Sequence, residues 1–350
     1  MVNANDEIFE KTLDQQLNSF RIEGDIRTKV LKDLLKMEKK IIKKIELIAP
    51  EQAENFTTRR LNRMLREVRK IIRTDYKDID KKLGEELAEL ARIESKRQGV
   101  ILADSLDVEL DTDFLPISKI NSIYKNSLIE GAPSSEWWSR QSSQLQRKFQ
   151  DEMRVGILSG DTNAQLVRRV RGSKSFNFKN GIMQVSRRNA EALVRSSVQT
   201  SSNQARFEMM EANVNLIGSY RHVSTLDSRT SSVCIVRDGK RWKADTKEPL
   251  GHSLPFLIPP IHWNCRSSSV AEVKGTRLPK DATRASDSGE VPANDNFEDF
   301  LSKKGKGYQD ETLGKGKAEL WRNGKITLNQ LLDQQGNPLT LSQLEAKYNQ

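Results

Sequence analysis

Residues 61–93 read LNRMLREVRKIIRTDYKDIDKKLGEELAELARI. Leu61, Leu65, Val68, Ile72, Tyr76, Ile79, Leu83, Leu87, Leu90 and Ile93 recur at steps of three and four, so one long helix would carry all of them on a single face. Toward the N-terminus, Ile26, Val30, Leu34, Met37, Ile41, Ile45 and Ile48 repeat that spacing and stop before Pro50. Two such stripes predict an antiparallel helical hairpin that turns around residues 49–57 and closes on its own apolar seam. Residues 1–110 are therefore expected to form a long N-terminal helical arm.

Working outward toward the C-terminus, a break at Asp111, Asp113 and Pro116 leads into a helical middle region. Helical periodicity runs over 118–129, 136–158, 162–170 and 186–211, with Ser135 and Ser186 as candidate N-caps. From Ser219 the pattern changes to short strand-like pieces at 220–224 and 239–243. Residues 276–297 are rich in Ser, Asp, Ala and Pro and read as a linker. Residues 298–350 follow as a C-terminal unit in which Thr340 and Gln343 have capping-box spacing. The fold class expected is mainly α, with a small α+β domain inside 115–275 and a short β-sheet around a Cys/His motif.

The chain has 350 residues, enough to bury a core without metal or disulfide. Its net charge of +10 favours polyanionic partners. That excess is local. Residues 140–188 hold eleven Lys/Arg against Asp151, Glu152 and Asp161. Two cysteines argue against a disulfide framework and fit synthesis in a reducing cytoplasm. MVNANDEIFEK has neither a basic nor an apolar signal region, and no apolar run approaches a membrane span. A membrane partner is not expected.

All three histidines and both cysteines fall between His222 and Cys265. Cys234, His262 and Cys265 offer three zinc-type ligands and His252 a fourth, although only the His262–Cys265 pair has close metal-ligand spacing. A Cys234–Cys265 disulfide and simply packed thiols remain open beside that reading. A nucleophilic site would need Cys265, His262, Asn264 and Asp227 to face each other, and three of these crowd into one loop. No nucleophile elbow, phosphate loop, dinucleotide fingerprint or metalloprotease helix is present, so no enzyme activity and no required cofactor are expected.

The segments STLDSRTSSVC (224–234), Asp238-Gly239-Lys240 and PPIHWNCRS (259–267) resemble the signature of the Mu F-like phage head-morphogenesis family. That family shows an Asp-x-Arg-Thr turn, a Cys-x-x-Cys, a glycine soon after, and a Pro-Pro-x-His-x-x-Cys-Arg-Cys close. The likeness extends over roughly 115–348. Ser231 and Ser267 stand where one thiol of each pair would fall, and serine is a poor zinc ligand. What remains is turn logic: Asp227, Arg229 and Thr230 in a bonded turn, Gly239 at positive φ, and Pro259 and Pro260 stiffening the approach to His262, Cys265 and Arg266. With Cys234, these residues are expected to form a structural knot.

The resemblance implies a minor capsid protein acting in procapsid assembly near the portal. Its partners would be the portal, other capsid or scaffold proteins and, as in some relatives, packaged double-stranded DNA. Its place would be the virion, after assembly in the host cytoplasm. Phosphate contacts would come from Arg147, Lys148, Arg154, Arg168, Arg169, Arg171, Lys174 and Lys179, with Phe176 and Phe178 expected first as core residues and second as groups that stack on bases. Two other classes stand beside this one. An ADP-ribosyltransferase-like enzyme would use an acid such as Glu272, which no Glu-x-Glu accompanies. A plain sequence-independent DNA-binding protein would not associate with a portal.

Overall fold

The computed structural model describes residues 3–49, 57–108, 115–276 and 278–348. It is helix-dominated with small antiparallel sheets, the fold class expected. The chain divides into two compact units. One comprises Phe20–Leu90 and Asn121–Val198; the other comprises Met1–Ser19, Ala91–Ile120 and Gln199–Gln350.

In the first unit, α1 (Ala4–Ile48) and α2 (Thr58–Leu106) supply the seam. Ile26, Val30, Leu34, Met37, Ile41 and Ile45 are buried on α1, and Leu65, Val68, Ile72, Tyr76, Ile79, Leu83, Leu87 and Leu90 on α2. Ile48 and Leu61 are half-buried. Lys29 pairs with Glu86, Asp33 with Lys82, Lys40 with Asp75 and Lys44 with Glu67. As numbers rise along α1 they fall along α2, which makes the pair antiparallel. Pairs this exposed contribute about 0–1 kcal/mol each, so the apolar seam holds the hairpin. The expected turn at Pro50 and the break at Asp111 and Asp113 lie outside the described residues.

The same unit continues through the end of α3 (Ile117–Asn126), a β1 (Leu128–Ile129) to β2 (Ala132–Pro133) hairpin, α4 (Ser134–Leu158), α5 (Asn163–Arg171) and the start of α6 (Ile182–Ala212). Trp138, Leu145, Phe149 and Met153 form the buried stripe of α4. A Cβ at Gly156 would lie 2.5 Å from Leu166, so glycine lets α4 and α5 close on each other. Helix boundaries differ from expectation at three points. Leu128 and Ile129 leave α3 to pair with Pro133 and Ala132. Pro133, not Ser135, occupies the α4 cap and makes no side-chain bond. Ser186 lies inside α6, because buried Ile182 and Met183 extend that helix backward. Thr162 and Gln165 cap α5 reciprocally.

The second unit is built on a three-stranded antiparallel sheet, order β4–β3–β5, from β3 (Ile217–Val223), β4 (Arg241–Lys243) and β5 (Ser268–Val273). Tyr220 stands opposite Trp242 on one side and Ala271 on the other. One core gathers Ile8, Phe9, Leu102, Phe207, Tyr220 and Val270. A second gathers Leu226, Trp242, Phe297, Phe300, Leu331 and Leu344. Between β3 and β4 runs the short α7 (Ser232–Arg237). Residues 276–297, expected as a linker, contain the hairpin β6 (Thr283–Ser286) to β7 (Gly289–Pro292) and bury Ala282, Arg284 and Ala293. Helices α8 (Phe297–Ser302), α9 (Lys306–Leu313), α10 (Lys315–Arg322) and α11 (Leu341–Tyr348) complete the second core. Thr340 and Gln343 cap α11 as their spacing predicts: the Thr340 N–H donates to Gln343 Oε1 at 2.8 Å, and the Gln343 N–H returns to Thr340 Oγ1 at 3.3 Å.

Candidate functional site

The turn at Asp227 forms because its side chain can replace missing backbone partners. Asp227 Oδ1 accepts from the Arg229 N–H at 3.0 Å and from the Thr230 hydroxyl at 3.2 Å. The Thr230 hydroxyl also reaches the Thr225 carbonyl at 2.5 Å. Arg266, from the second motif, donates through Nη1 to Oδ2 at 2.5 Å and through Nη2 to Oδ1 at 2.7 Å. This is a bidentate, charge-assisted pair. Burial alone would raise the Asp227 carboxyl, but the bonds and charge of Arg266 outweigh it and hold the group below its ordinary range. Arg229 also touches Asp227, at 3.3 Å, yet its side chain is 80% exposed.

The turn delivers Ser231 to the cap of α7, where its hydroxyl accepts from the Cys234 N–H. Pro259 and Pro260, joined by a cis peptide bond, precede His262, and the Cys265 N–H closes back on the His262 carbonyl at 3.1 Å. Cys234, His262 and Cys265 thereby converge, their ligand atoms lying within 4.8 Å of one another. Cys234 Sγ is 3.1 Å from His262 Nε2 and 3.6 Å from Cys265 Sγ. Both thiols are free and buried. His262 Nδ1 donates to the Trp263 carbonyl at 2.9 Å, which turns Nε2 toward the cluster as an acceptor, and the Ser231 hydroxyl meets it at 2.7 Å. Ser267 hydrogen-bonds Cys234. Both serines, Ser231 and Ser267, therefore touch the cluster.

Of these distances, the 3.6 Å Cys234–Cys265 separation matches an edge of a tetrahedral zinc site, and the 3.1 Å Cys234–His262 contact is shorter than one. With Zn–S near 2.3 Å and Zn–N near 2.1 Å, tetrahedral edges are about 3.6–3.8 Å. Three protein ligands of the right kind are present, with serine hydroxyls beside them. His252 does not join them: its Nε2 bonds the Arg241 carbonyl at 2.9 Å and its ring packs edge-on against Trp242. The two thiols also perturb each other in opposite directions. The Cys234 thiol, donating toward Cys265 in a buried site, is pushed up, and the same bond, with His262 nearby, pulls Cys265 down.

Gly239 adopts φ +76° and its N–H donates to the His222 carbonyl at 2.8 Å. The preceding residue, Asp238, accepts from the Ser224 N–H at 2.7 Å and from both Nη groups of Arg284 at 3.1 and 2.5 Å. Sequence reading missed this pair, because Arg284 sits among Ser, Ala and Thr with nothing to mark it as buried. Glu272, the acid weighed for a transferase, accepts from Arg241 at 2.6 Å and from Ser219 at 2.9 Å.

The basic residues of 140–188 divide into two sets. Arg169 is clasped by Asp161 at 2.6 Å and Glu152 at 3.0 Å; Lys148 leans on Glu152 and Arg171 on Glu38. Arg147, Arg154, Arg168, Lys174 and Lys179 are exposed and form no ion pair among the described residues. Phe176 and Phe178 are also exposed, in the loop between α5 and α6.

No curated protein and no solved structure matches this chain. Residues 147–270, which run from the basic part of α4 through the Asp227 turn and the thiol cluster into β5, match the family described as phage Mu protein F like protein, and the resemblance carried by the two motifs is thereby shown for that segment.

Proposed function

We propose that this chain is a minor head protein of a phage, acting in head assembly as a braced structural part. The family match supports a role in head morphogenesis and other capsid proteins as partners. The observation that carries the reading is that the matched segment contains a locked brace: Asp227 receives five donors from three residues. A group so fully engaged stabilises a turn and has no lone pair to spare for proton transfer. The portal is the proposed docking partner for the long α1–α2 hairpin, and the virion is the proposed location. Packaged DNA is the proposed partner of Arg147, Arg154, Arg168, Lys174 and Lys179, through phosphate contacts that carry no sequence preference.

Within this reading, Cys234, His262 and Cys265 would hold a zinc ion that cross-links α7 to the 259–267 loop. The bound ion would supply stability and no reaction. The function is tested by depleting the chain during phage growth and probing purified heads for it. Heads that fail to mature, and co-purification of the chain with the portal, are expected. Normal, infectious heads containing none of it would end the proposal.

A further inference from the structure

The second unit has a polar pocket of about 320 Å³, lined by residues of β3, the start of β4, the 250–252 turn and the 294–296 segment, and by none of the thiol-cluster residues. Its charge is unbalanced. Arg221, Lys240 and Arg241 line it against one carboxylate, Asp238. Asp238 is already saturated by Arg284 and the Ser224 N–H, and Arg241 is committed to Glu272.

Arg221 is the residue left over. Its side chain is 2% exposed, and one face of the guanidinium lies over the Phe9 ring at 5.5 Å. Nη2 donates to the Ala293 carbonyl at 2.7 Å. Nε and Nη1 have no hydrogen-bond acceptor among the described residues, and the nearest carboxylate oxygen, on Glu272, stands 4.0 Å from Nη1. Burial, with Arg241 close by, lowers this group to a pKa of about 10, and burial lowers Lys240 as well. A buried cation with two unmet N–H groups is costly and is ordinarily found opposite an anion. Gly239 borders the pocket at φ +76°, where a Cβ would make ordinary contact with Asn296 at 3.4 Å and with Arg221 Nη2 at 3.9 Å.

We propose that this pocket binds a phosphate group, as the free ion or on a small phosphomonoester, with Arg221 and Lys240 supplying the charge. Two buried guanidinium nitrogens without acceptors, on a side chain that lines the pocket, and a second cation suit a multiply charged tetrahedral anion better than a single carboxylate. The volume is at the small end for ligand sites, which restricts the occupant to a small molecule. The site lies within the family-matched segment but uses neither the Asp227 brace nor the thiol cluster, so its binding test can fail without touching the head-assembly reading.

The test titrates the full chain with inorganic phosphate, adenosine monophosphate and acetate, each against chloride at matched ionic strength, by calorimetry and thermal unfolding. Saturable phosphate binding with a matching rise in Tm is expected, weakened about tenfold or more in Lys240→Met, whose side chain is half-buried. Arg221→Met should abolish it if that chain folds. Adenosine monophosphate binding more tightly than phosphate would assign the pocket to esters, and its failure to bind beside saturable phosphate would assign it to the free ion. Phosphate no better than chloride, acetate equal to phosphate, or undiminished binding in Lys240→Met would each overturn the proposal.

Discussion

Arg266 places both of its Nη groups on the carboxylate of Asp227, at 2.5 and 2.7 Å across a separation of 39 residues. This pair ties the Asp-Arg-Thr turn to the Pro-Pro-His-Cys loop. Removing the carboxylate in Asp227→Ala leaves the Arg229 N–H and a half-buried guanidinium without their acceptor, while the Thr230 hydroxyl keeps the Thr225 carbonyl. A loss of roughly 2–4 kcal/mol of stability is expected. Arg229→Ala should cost under about 1 kcal/mol, because that side chain is in solvent. Urea unfolding of both variants checks the order, and equal losses would show that the clasp is not what holds the turn.

The same carboxylate sets an acid limit. Arg266 depresses Asp227 in the folded chain below its unfolded value near 3.9. The unfolded state then binds the proton more readily, so the stabilisation is complete above about pH 4 and fades as pH falls through the folded pKa. The stability gap between wild type and Asp227→Asn should be constant from pH 5 to 8 and narrow below pH 4. A gap that widened in acid would reverse the sign and refute the assignment.

The helical half of the molecule was readable because an apolar stripe at steps of three and four leaves little choice, and Val68, Ile72 and Leu83 are buried as that stripe requires. The sheet was half readable. Tyr220 to Val223 read as strand-like with a recognisable partner at 241–243, but β5 reads Ser-Ser-Val-Ala-Glu-Val and gives no such signal, and Ser268, Ser269, Val270 and Ala271 are all buried. Charge counting found the basic stretch and could not find its internal pairing, because Glu152 and Asp161 reach Arg169 only after α4 and α5 fold together. The thiol cluster was legible as types and spacing. That Ser231 and Ser267 border it, and that His252 turns away to Trp242, are consequences of three-dimensional packing.

Metal content is the next consequence. If zinc joins Cys234, His262 and Cys265, chain purified without chelator should contain about one zinc per molecule. Cys265→Ser and His262→Ala should lose it, and a strong chelator should lower the wild-type Tm while leaving theirs unmoved. Ser231→Cys, which restores a thiol 2.7 Å from the position of His262 Nε2, should bind zinc more tightly than wild type. Metal-free protein whose Tm ignores chelator would leave the thiols as packing groups.

Contact with DNA predicts a salt signature. Each phosphate neutralised contributes a slope of about −0.9 in log affinity against log salt on duplex DNA. Alanine at Arg147, Arg154, Arg168, Lys174 and Lys179 together should flatten that slope and weaken binding equally on unrelated sequences. Arg169→Ala should instead lower stability, since Asp161 and Glu152 would lose their shared partner. Binding that survives the five changes would move the DNA face elsewhere or remove it.

Arg284 and Asp238 form an ion pair whose side chains are 1% and 0% exposed, and this pair fastens the β6–β7 hairpin to the residue preceding Gly239. A buried pair is costly to break from one side, because the remaining charge cannot be resolvated without opening the structure. Arg284→Met should therefore destabilise the chain by roughly 3–5 kcal/mol, whereas alanine at exposed Thr283 beside it should change stability by under about 0.5 kcal/mol. The loss should be local first. Limited proteolysis should cut 276–297 in Arg284→Met under conditions that leave the wild-type hairpin intact, since opening follows the weakest attachment. Equal cleavage of the two proteins would mean that the hairpin is held by Ala282 and Ala293 packing instead, and that the buried charge serves only to position Asp238.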